Sequence, residues 1–356
     1  VSYGHGGGFY ERRYYAPRGR VYYQRTYIYG GRRYAVAYRY YPYRSVYYYR
    51  YAPVYYYRPA FYGWAWRPWG APVVYRWGWF GDPWWPHYRY YFNPYPSYVS
   101  ASLWLTDFLL AENLRMAYEA RASAAVAQAN ANAAAAQADA AAAQARADAY
   151  AADQNAAQPQ GEAALSPEVK QLIANEVERQ LQAQQAAAQQ PQAAAEPARG
   201  VDDAQAEEVP AALDPNQRVF IVAGNLDMVG EQGECSVTAG DVLMRLGTTP
   251  DANNKIGVTV VSSKRGDCPV NTNSDVDVAE LQEMHNQFRE KLDAGLKTLA
   301  ENQGKNGLPP APDVTTTAGE APPPQPDEDA SHELENQQKD ADRTEQQIQK
   351  GAPGGK

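Results

Sequence analysis

Val21-Tyr-Tyr-Gln-Arg-Thr-Tyr-Ile-Tyr29, Gly30-Gly31 and Arg32-Arg-Tyr-Ala-Val-Ala-Tyr-Arg-Tyr40 are two β-prone runs joined by two glycines. Tyrosine, valine, isoleucine and threonine suit the pleated surface of a strand, and a two-residue glycine loop reverses the chain without steric cost. A loop at Gly30 and Gly31 sets the register: Tyr29 opposite Arg32, Tyr27 opposite Tyr34, Arg25 opposite Val36 and Tyr23 opposite Tyr38. One face of that hairpin carries aromatic pairs and arginines able to stack on rings.

The same chemistry continues outward. Val46-Tyr47-Tyr48-Tyr49-Arg50 returns as Val54-Tyr55-Tyr56-Tyr57-Arg58, while Pro42, Pro53, Pro59, Pro68 and Pro72 keep each run short or at a sheet edge. Of the 29 tyrosines in this 356-residue chain, 27 lie in residues 1–98, with seven of the eight tryptophans. That stretch holds 14 Arg, no Lys and only Glu11 and Asp82 as acids, a net charge of +12; the remainder carries −20 of the overall −8. A basic aromatic arm on an acidic body invites attraction between copies or binding to a polyanion. Residues 1–98 are therefore either a low-complexity tail or an interaction surface built from Tyr23, Tyr27, Tyr34, Tyr38, Tyr47, Tyr49, Tyr55, Tyr57, Arg25, Arg50, Arg58, Trp77 and Trp79.

Trp64-Ala65-Trp66, Trp69-Gly70 and Trp77-Gly78-Trp79 resemble the tryptophan-glycine-tryptophan repeats of poorly characterised bacterial envelope proteins. Ring-on-ring packing accounts for such a cluster, and stacking on sugars or bases is the alternative.

Residues 99–157 predict one long helix. Leu110, Leu114 and Tyr118 share a face, and the alanine tract beyond favours continuation. Asn130, Gln137 and Gln144 recur every seven residues, as do Asn132, Asp139, Arg146 and Asp153, the period of a coiled coil. Gln158-Pro159-Gln160-Gly161 breaks the helix, and Ser166-Pro167 starts an amphipathic one within 158–190 with Val169, Leu172, Ile173, Val177 and Leu181 as its stripe. An acidic linker spans 191–216.

Residues 217–306 have an ordinary globular composition. Strands are expected at Val219 to Ala223, Ser236 to Thr238, Val242 to Leu246, Ile256 to Ser262 and near Asp275 to Val278. Asp277 and Glu280 then open a helix whose stripe is Leu281, Met284, Phe288, Leu292, Leu296 and Leu299, stopped at Gly304. The order of these elements resembles a bacterial SH3-like small barrel with an added helix. Cys235 and Cys268, the only cysteines, flank the β core; as an even pair in a secreted chain they are expected to be bonded. Residues 307–356 are rich in Pro, Glu, Asp and Gln and are expected to be disordered.

The layout makes an α+β, multi-segment chain, and the whole resembles uncharacterised secreted bacterial proteins. A first residue of Val1 fits removal of a secretion signal or simple trimming. No window holds about 18 uninterrupted apolar residues, so a transmembrane segment is not expected. His5, His87, His285 and His332 are scattered, the cysteines lack metal or redox spacing, and Gly6-Gly7-Gly8 lacks the rest of a phosphate loop. No catalytic residue, cofactor or metal is therefore expected. The function classes left are a self-associating structural protein of the extracellular space or cell envelope, and a module holding anionic wall polymer, polysaccharide or, less favoured, nucleic acid.

Overall fold

The structure, a computed structural model, describes residues 10–15, 21–29, 32–138, 165–189, 208–230 and 233–324. The chain is α+β. Strands β1 (Tyr10–Tyr15), β2 (Val21–Tyr29), β3 (Arg32–Tyr43) and β4 (Val46–Tyr51) form an antiparallel meander in the order β1-β2-β3-β4. The β2–β3 register places Tyr29 opposite Arg32, Tyr27 opposite Tyr34, Arg25 opposite Val36 and Tyr23 opposite Tyr38, as the glycine loop requires. The β3–β4 reversal uses Arg44 and Ser45, at φ 47° and 62°. Two residues of positive φ match the right-handed twist of the flanking strands, and no glycine advertised this turn.

A short strand β5 (Tyr55–Tyr57) leads into α1 (Pro59–Trp66), α2 (Trp84–Tyr88) and α3 (Ala101–Ala138), followed by α4 (Pro167–Gln189). Helix α4 opens with Val169 N–H donating to Ser166 Oγ at 3.3 Å. The carboxy-terminal part holds β6 (Val219–Ile221), β7 (Leu226–Gly230), β8 (Gly233–Val237), β9 (Val242–Arg245), β10 (Lys255–Ser262), β11 (Asn273–Asp277), α5 (Val278–Asn302) and β12 (Thr316–Ala318). Its strands make a four-stranded sheet in the order β11-β10-β9-β6 and a separate β7-β8 ribbon. The ribbon's first strand was not expected from sequence. Cys235 and Cys268 are joined in a disulfide that ties β8 to the loop after β10.

Tertiary packing departs from the expected layout in one main respect: the tyrosine-rich segment is no detachable arm. The principal core draws Phe61, Trp77, Tyr88, Phe92 and Tyr98 together with Trp104, Leu109 and Leu114 of α3, Ile173 and Leu181 of α4, and Phe288, Leu292 and Leu296 of α5. A second core mixes Tyr41, Tyr43 and Tyr48 of the meander with Phe220, Val222, Val258 and Val276 of the carboxy-terminal sheet and Leu281 of α5. Each such side chain contributes roughly 1.5–3 kcal/mol by leaving water, so neither half buries its apolar surface alone.

Two boundaries shift accordingly. Residues 307–324, expected to be disordered, are built into the fold: β12 pairs antiparallel with β5, and Leu308 and Ala321 are buried. Backbone pairing to a tyrosine strand supplies what their composition lacks. In the expected linker, Glu208 is ion-paired with Arg39 and Arg50, and Ala212 and Leu213 are buried. Leu172 is exposed although it sits on the apolar stripe of α4. Helix α3 runs to Ala138 and carries Asn130, Asn132 and Gln137, while Asp139, Gln144, Arg146 and Asp153 lie outside the described residues.

Two close approaches anchor these parts. A Cβ on Gly295 of α5 would lie 2.7 Å from Leu105 Cδ2 and 3.0 Å from Phe108 Cδ1, so α3 and α5 touch across a bare backbone. Lys170 of α4 pairs with buried Asp107 of α3 at 2.7 Å, and the other carboxylate oxygen accepts from Tyr95 N–H at 2.6 Å and Tyr98 hydroxyl at 2.8 Å. The Oδ2 oxygen thus has two donors and Oδ1 has the ammonium, which offsets the cost of burying the pair.

Gly295→Val should lower stability by roughly 1–3 kcal/mol through overpacking, whereas Gly247→Ala, with nothing within 4 Å, should be silent in chemical denaturation. Replacing Cys235 and Cys268 together by Ala opens a loop of 33 residues. The loss should approach about 4 kcal/mol, read as a lowered denaturation midpoint.

Candidate functional site

The chemically richest face of the molecule is where the meander meets α5. Glu283, Asn286, Glu290 and Asp293 recur at three- and four-residue steps and so share one side of that helix. The apolar stripe occupies another side. Facing the polar stripe, Tyr38, Tyr49, Tyr51 and Arg25 stand on one side of the sheet, because cross-strand partners and alternate residues point the same way.

Each partner is specific. Arg25 donates to Glu283 at 2.8 Å and to Glu11 at 3.0 Å, and its guanidinium lies 4.4 Å from the ring centres of both Tyr38 and Tyr49. Tyr38 donates its hydroxyl to Glu290, and Tyr51 donates to Asp293 at 2.6 Å. Asn286 serves as a substitute strand on the outer edge of β4: its Oδ1 accepts from Tyr51 N–H at 3.0 Å and its Nδ2 donates to the Tyr49 carbonyl at 2.9 Å. A sheet edge is closed by one amide side chain.

Burial sets the protonation of this face. Desolvation pushes Glu290 up to about 7, although the Tyr38 hydroxyl opposes the shift. Burial pushes Lys291 down to about 8, with Glu290 and Glu112 pulling the other way. His285 is buried, and desolvation, reinforced by Arg289, Arg179 and Arg50, depresses it to about 3. Glu290 and Lys291 line a cleft of about 680 Å3 between β3, α3 and α5, together with Tyr34, Val54 and Phe108. An acid and an amine near neutrality are chemically capable of proton exchange. Here, however, Glu290 is engaged by Tyr38 and Lys291 donates to Asn113 at 2.7 Å. Among the described residues no cluster of His, Cys, Asp and Glu is arranged to hold a metal ion, and no helix is long and apolar enough to cross a membrane.

The residues singled out from sequence fall into distinct environments. Trp77 is buried and stacks on Trp104 at 4.8 Å, and Trp79 is half-buried among Trp77, Trp84 and Trp85. Tyr57 is buried in the principal core, Tyr55 packs at its edge, and Arg58 is exposed 4.0 Å from Asp313. Arg50 is held by Glu320 and Glu208, and Tyr34 lines the cleft. Tyr27 is paired in the sheet, but its side chain lies outside the described residues. Tyr38, Tyr57, Trp77 and Arg25 are thus inside the molecule and out of reach of another chain. The structure instead gathers Tyr23, Tyr47 and Tyr49 around Tyr40, a residue that sequence reasoning omitted. Tyr40 stacks on Tyr47 at 4.8 Å and lies 4.7 Å from Tyr49 and 5.4 Å from Tyr23. The alternation of Tyr38 and Tyr40 was a visible signal; the strand that Tyr40 faces was not.

Comparison with protein families, with curated proteins and with solved structures finds no match to this chain.

The pH dependence separates the two buried groups. Glu290 is raised above the ordinary 4.5, so its contribution is complete below about 4.5 and is lost as pH rises through about 7. His285 is depressed below 6.5, so its contribution is present above about 6.5 and is lost as pH falls toward about 3. Glu290→Gln keeps the group neutral. Its urea midpoint should match the parent below about pH 4.5, exceed it increasingly between about pH 4.5 and 7, and keep a constant lead above that; a variant that weakens with rising pH would instead assign Arg25 an obligatory ionised partner in Glu290.

Proposed function

We propose that this chain is a non-enzymatic structural protein of the extracellular space or cell envelope of a bacterium, whose copies associate through the tyrosine row of the first sheet. The observation that carries this is the exposed end of that row. Tyr40 and Tyr47 are 41 % and 56 % exposed while stacked on each other, and Val21, 39 % exposed, belongs to the same face. Rigid, paired aromatic rings in water are the residues most enriched where proteins meet, since they bury large area at small entropic cost. Strand β1, next to Val21 and at the far side of the sheet from β4, is an edge onto which another strand can add.

Two further features support the assignment. A disulfide suits an oxidising compartment. The seven-residue polar period along α3 and beyond suits pairing with a helix of another copy. The alternative, retention of anionic wall polymer, polysaccharide or nucleic acid, loses three of its best cations: Arg25, Arg39 and Arg50 are held by Glu283, Glu208 and Glu320 of the same chain. The carboxy-terminal β module, read as SH3-like, serves here as the platform against which the meander packs.

Removing residues 1–101 would strip both cores, so point substitutions are the proper test. In sedimentation velocity the intact protein should form larger species as concentration rises, largely unchanged at about 1 M salt, where exposed ion pairs are screened. Tyr40→Thr with Tyr47→Thr should abolish this while leaving the circular dichroism spectrum intact. An intact protein that stays monomeric, or a double variant that associates equally well, overturns the proposal.

A further inference from the structure

We infer that the groove between α1 and the segment after α5 binds a proline-rich, acidic peptide, and that its occupant is Pro322–Asp329 of a second copy, an inference that rests on the self-association proposed above. The groove has a volume of about 520 Å3 and is walled by Pro59, Trp64, Pro68, Trp69, Pro309 and Pro312. Its rings are held in place before any ligand arrives. Trp64 stacks on Phe61 at 5.5 Å, Trp69 lies 5.4 Å from Trp64, and the Trp69 indole N–H donates to the Trp64 carbonyl at 3.3 Å. Gly63 behind them has no room to spare, since a Cβ there would sit 3.3 Å from Gln185 Nε2. The groove is thus a preformed, half-exposed slot of tryptophan and proline.

Rigid aromatic and proline walls match the shape of a polyproline helix, whose backbone offers carbonyl acceptors but few donors. The Trp64 indole N–H, which has no hydrogen-bond partner among the described residues, is the complementary donor. Beside it stands Arg67, exposed, with its guanidinium 5.0 Å from the Trp66 ring centre. A cation next to a proline slot selects ligands that carry acid beside their prolines. A linear sugar would need several converging polar groups, and Gln185 is already committed to Trp66 and to the Pro59 carbonyl.

This chain contains a matching ligand, Pro322-Pro-Pro-Gln-Pro-Asp-Glu-Asp329. Its own groove is poorly placed to receive it. Thr316 pairs with Tyr57 close to α1, but the antiparallel run carries Ala318 to Tyr55 and Ala321 to the Pro53 carbonyl, away from the groove. Pro322 then holds Tyr14 through its carbonyl at 3.1 Å. Pro323 beyond it is exposed, so the run begins on the surface away from its own groove.

Isothermal titration calorimetry of the full-length protein with a synthetic Pro322–Asp329 peptide tests this. Saturable binding is expected. Arg67→Glu, or a peptide with Asn, Gln and Asn in place of its three acids, should weaken it about tenfold, and Trp64→Ala should weaken it at least as much. Arg67 is exposed, so that variant remains informative should Trp64→Ala disturb α1. The inference falls if the peptide does not bind, if binding is indifferent to both substitutions, or if cellohexaose competes for the slot. Failure of peptide binding in a chain that still associates refutes the groove alone. Binding in a chain that stays monomeric at every concentration refutes the second copy as occupant, together with self-association.

Discussion

A single helix side holds the two halves of this molecule together. The stripe of Glu283, Asn286, Glu290 and Asp293 on α5 receives one guanidinium, two phenol hydroxyls and the backbone edge of β4. The opposite stripe of the same helix, Phe288, Leu292, Leu296 and Leu299, is buried in the principal core. Because both stripes lie on one rigid rod, the position of the meander follows from the packing of the helices beneath it. Removing Tyr38 or Tyr51 would take a hydrogen-bond donor from a buried carboxyl group, which costs more than a surface ion pair returns.

The charge segregation along the chain takes on a different meaning in this light. A net +12 in residues 1–98 facing −20 elsewhere looks like a device for binding something else. Three of the fourteen arginines are spent inside the molecule: Arg25 on Glu283, and Arg39 and Arg50 on Glu208 and Glu320. Opposite poles far apart in sequence are the long-range attraction that brings the ends of the chain together, and aromatic packing then fixes the geometry. Tyrosine is suited to both tasks, with a ring for the core and a hydroxyl for a carboxylate.

Aromatic residues divide by position within these elements. Tryptophans between 77 and 85 pack on α3 and on one another, whereas Trp64 and Trp69 line an open groove. Tyr41, Tyr43 and Tyr48 lie on one face of the meander and are covered by the carboxy-terminal sheet, whereas Tyr38, Tyr40 and Tyr47 lie on the other, where α5 covers Tyr38 and leaves Tyr40 and Tyr47 exposed. Exposure therefore depends on the face a tyrosine occupies and on how far α5 reaches along it, which sets apart Tyr40 and Tyr47 from chemically identical residues such as Tyr38 and Tyr48.

Several features were legible in the sequence because their causes are local. The two-residue glycine loop dictates the β2–β3 register, Ser166 and Pro167 start α4, and the spacing of Leu281 through Leu299 identifies the buried stripe of α5. These signals act within one turn of helix or one hairpin. The three- and four-residue spacing of Glu283, Asn286 and Glu290 was equally visible, but Arg25, the partner of Glu283, lies 258 residues away, and no local pattern names a partner at that distance. The turn at Arg44 and Ser45 and the pairing of β5 with β12 were hidden for the same reason: neither carries the residue types that ordinarily mark it. The sequence by itself determined the β2–β3 hairpin, the start of α4, the buried stripe of α5 and which two cysteines bond, because each rests on local spacing or on there being a single pair. Only the tertiary structure decided which tyrosines are core and which are surface, because that depends on what a distant helix covers.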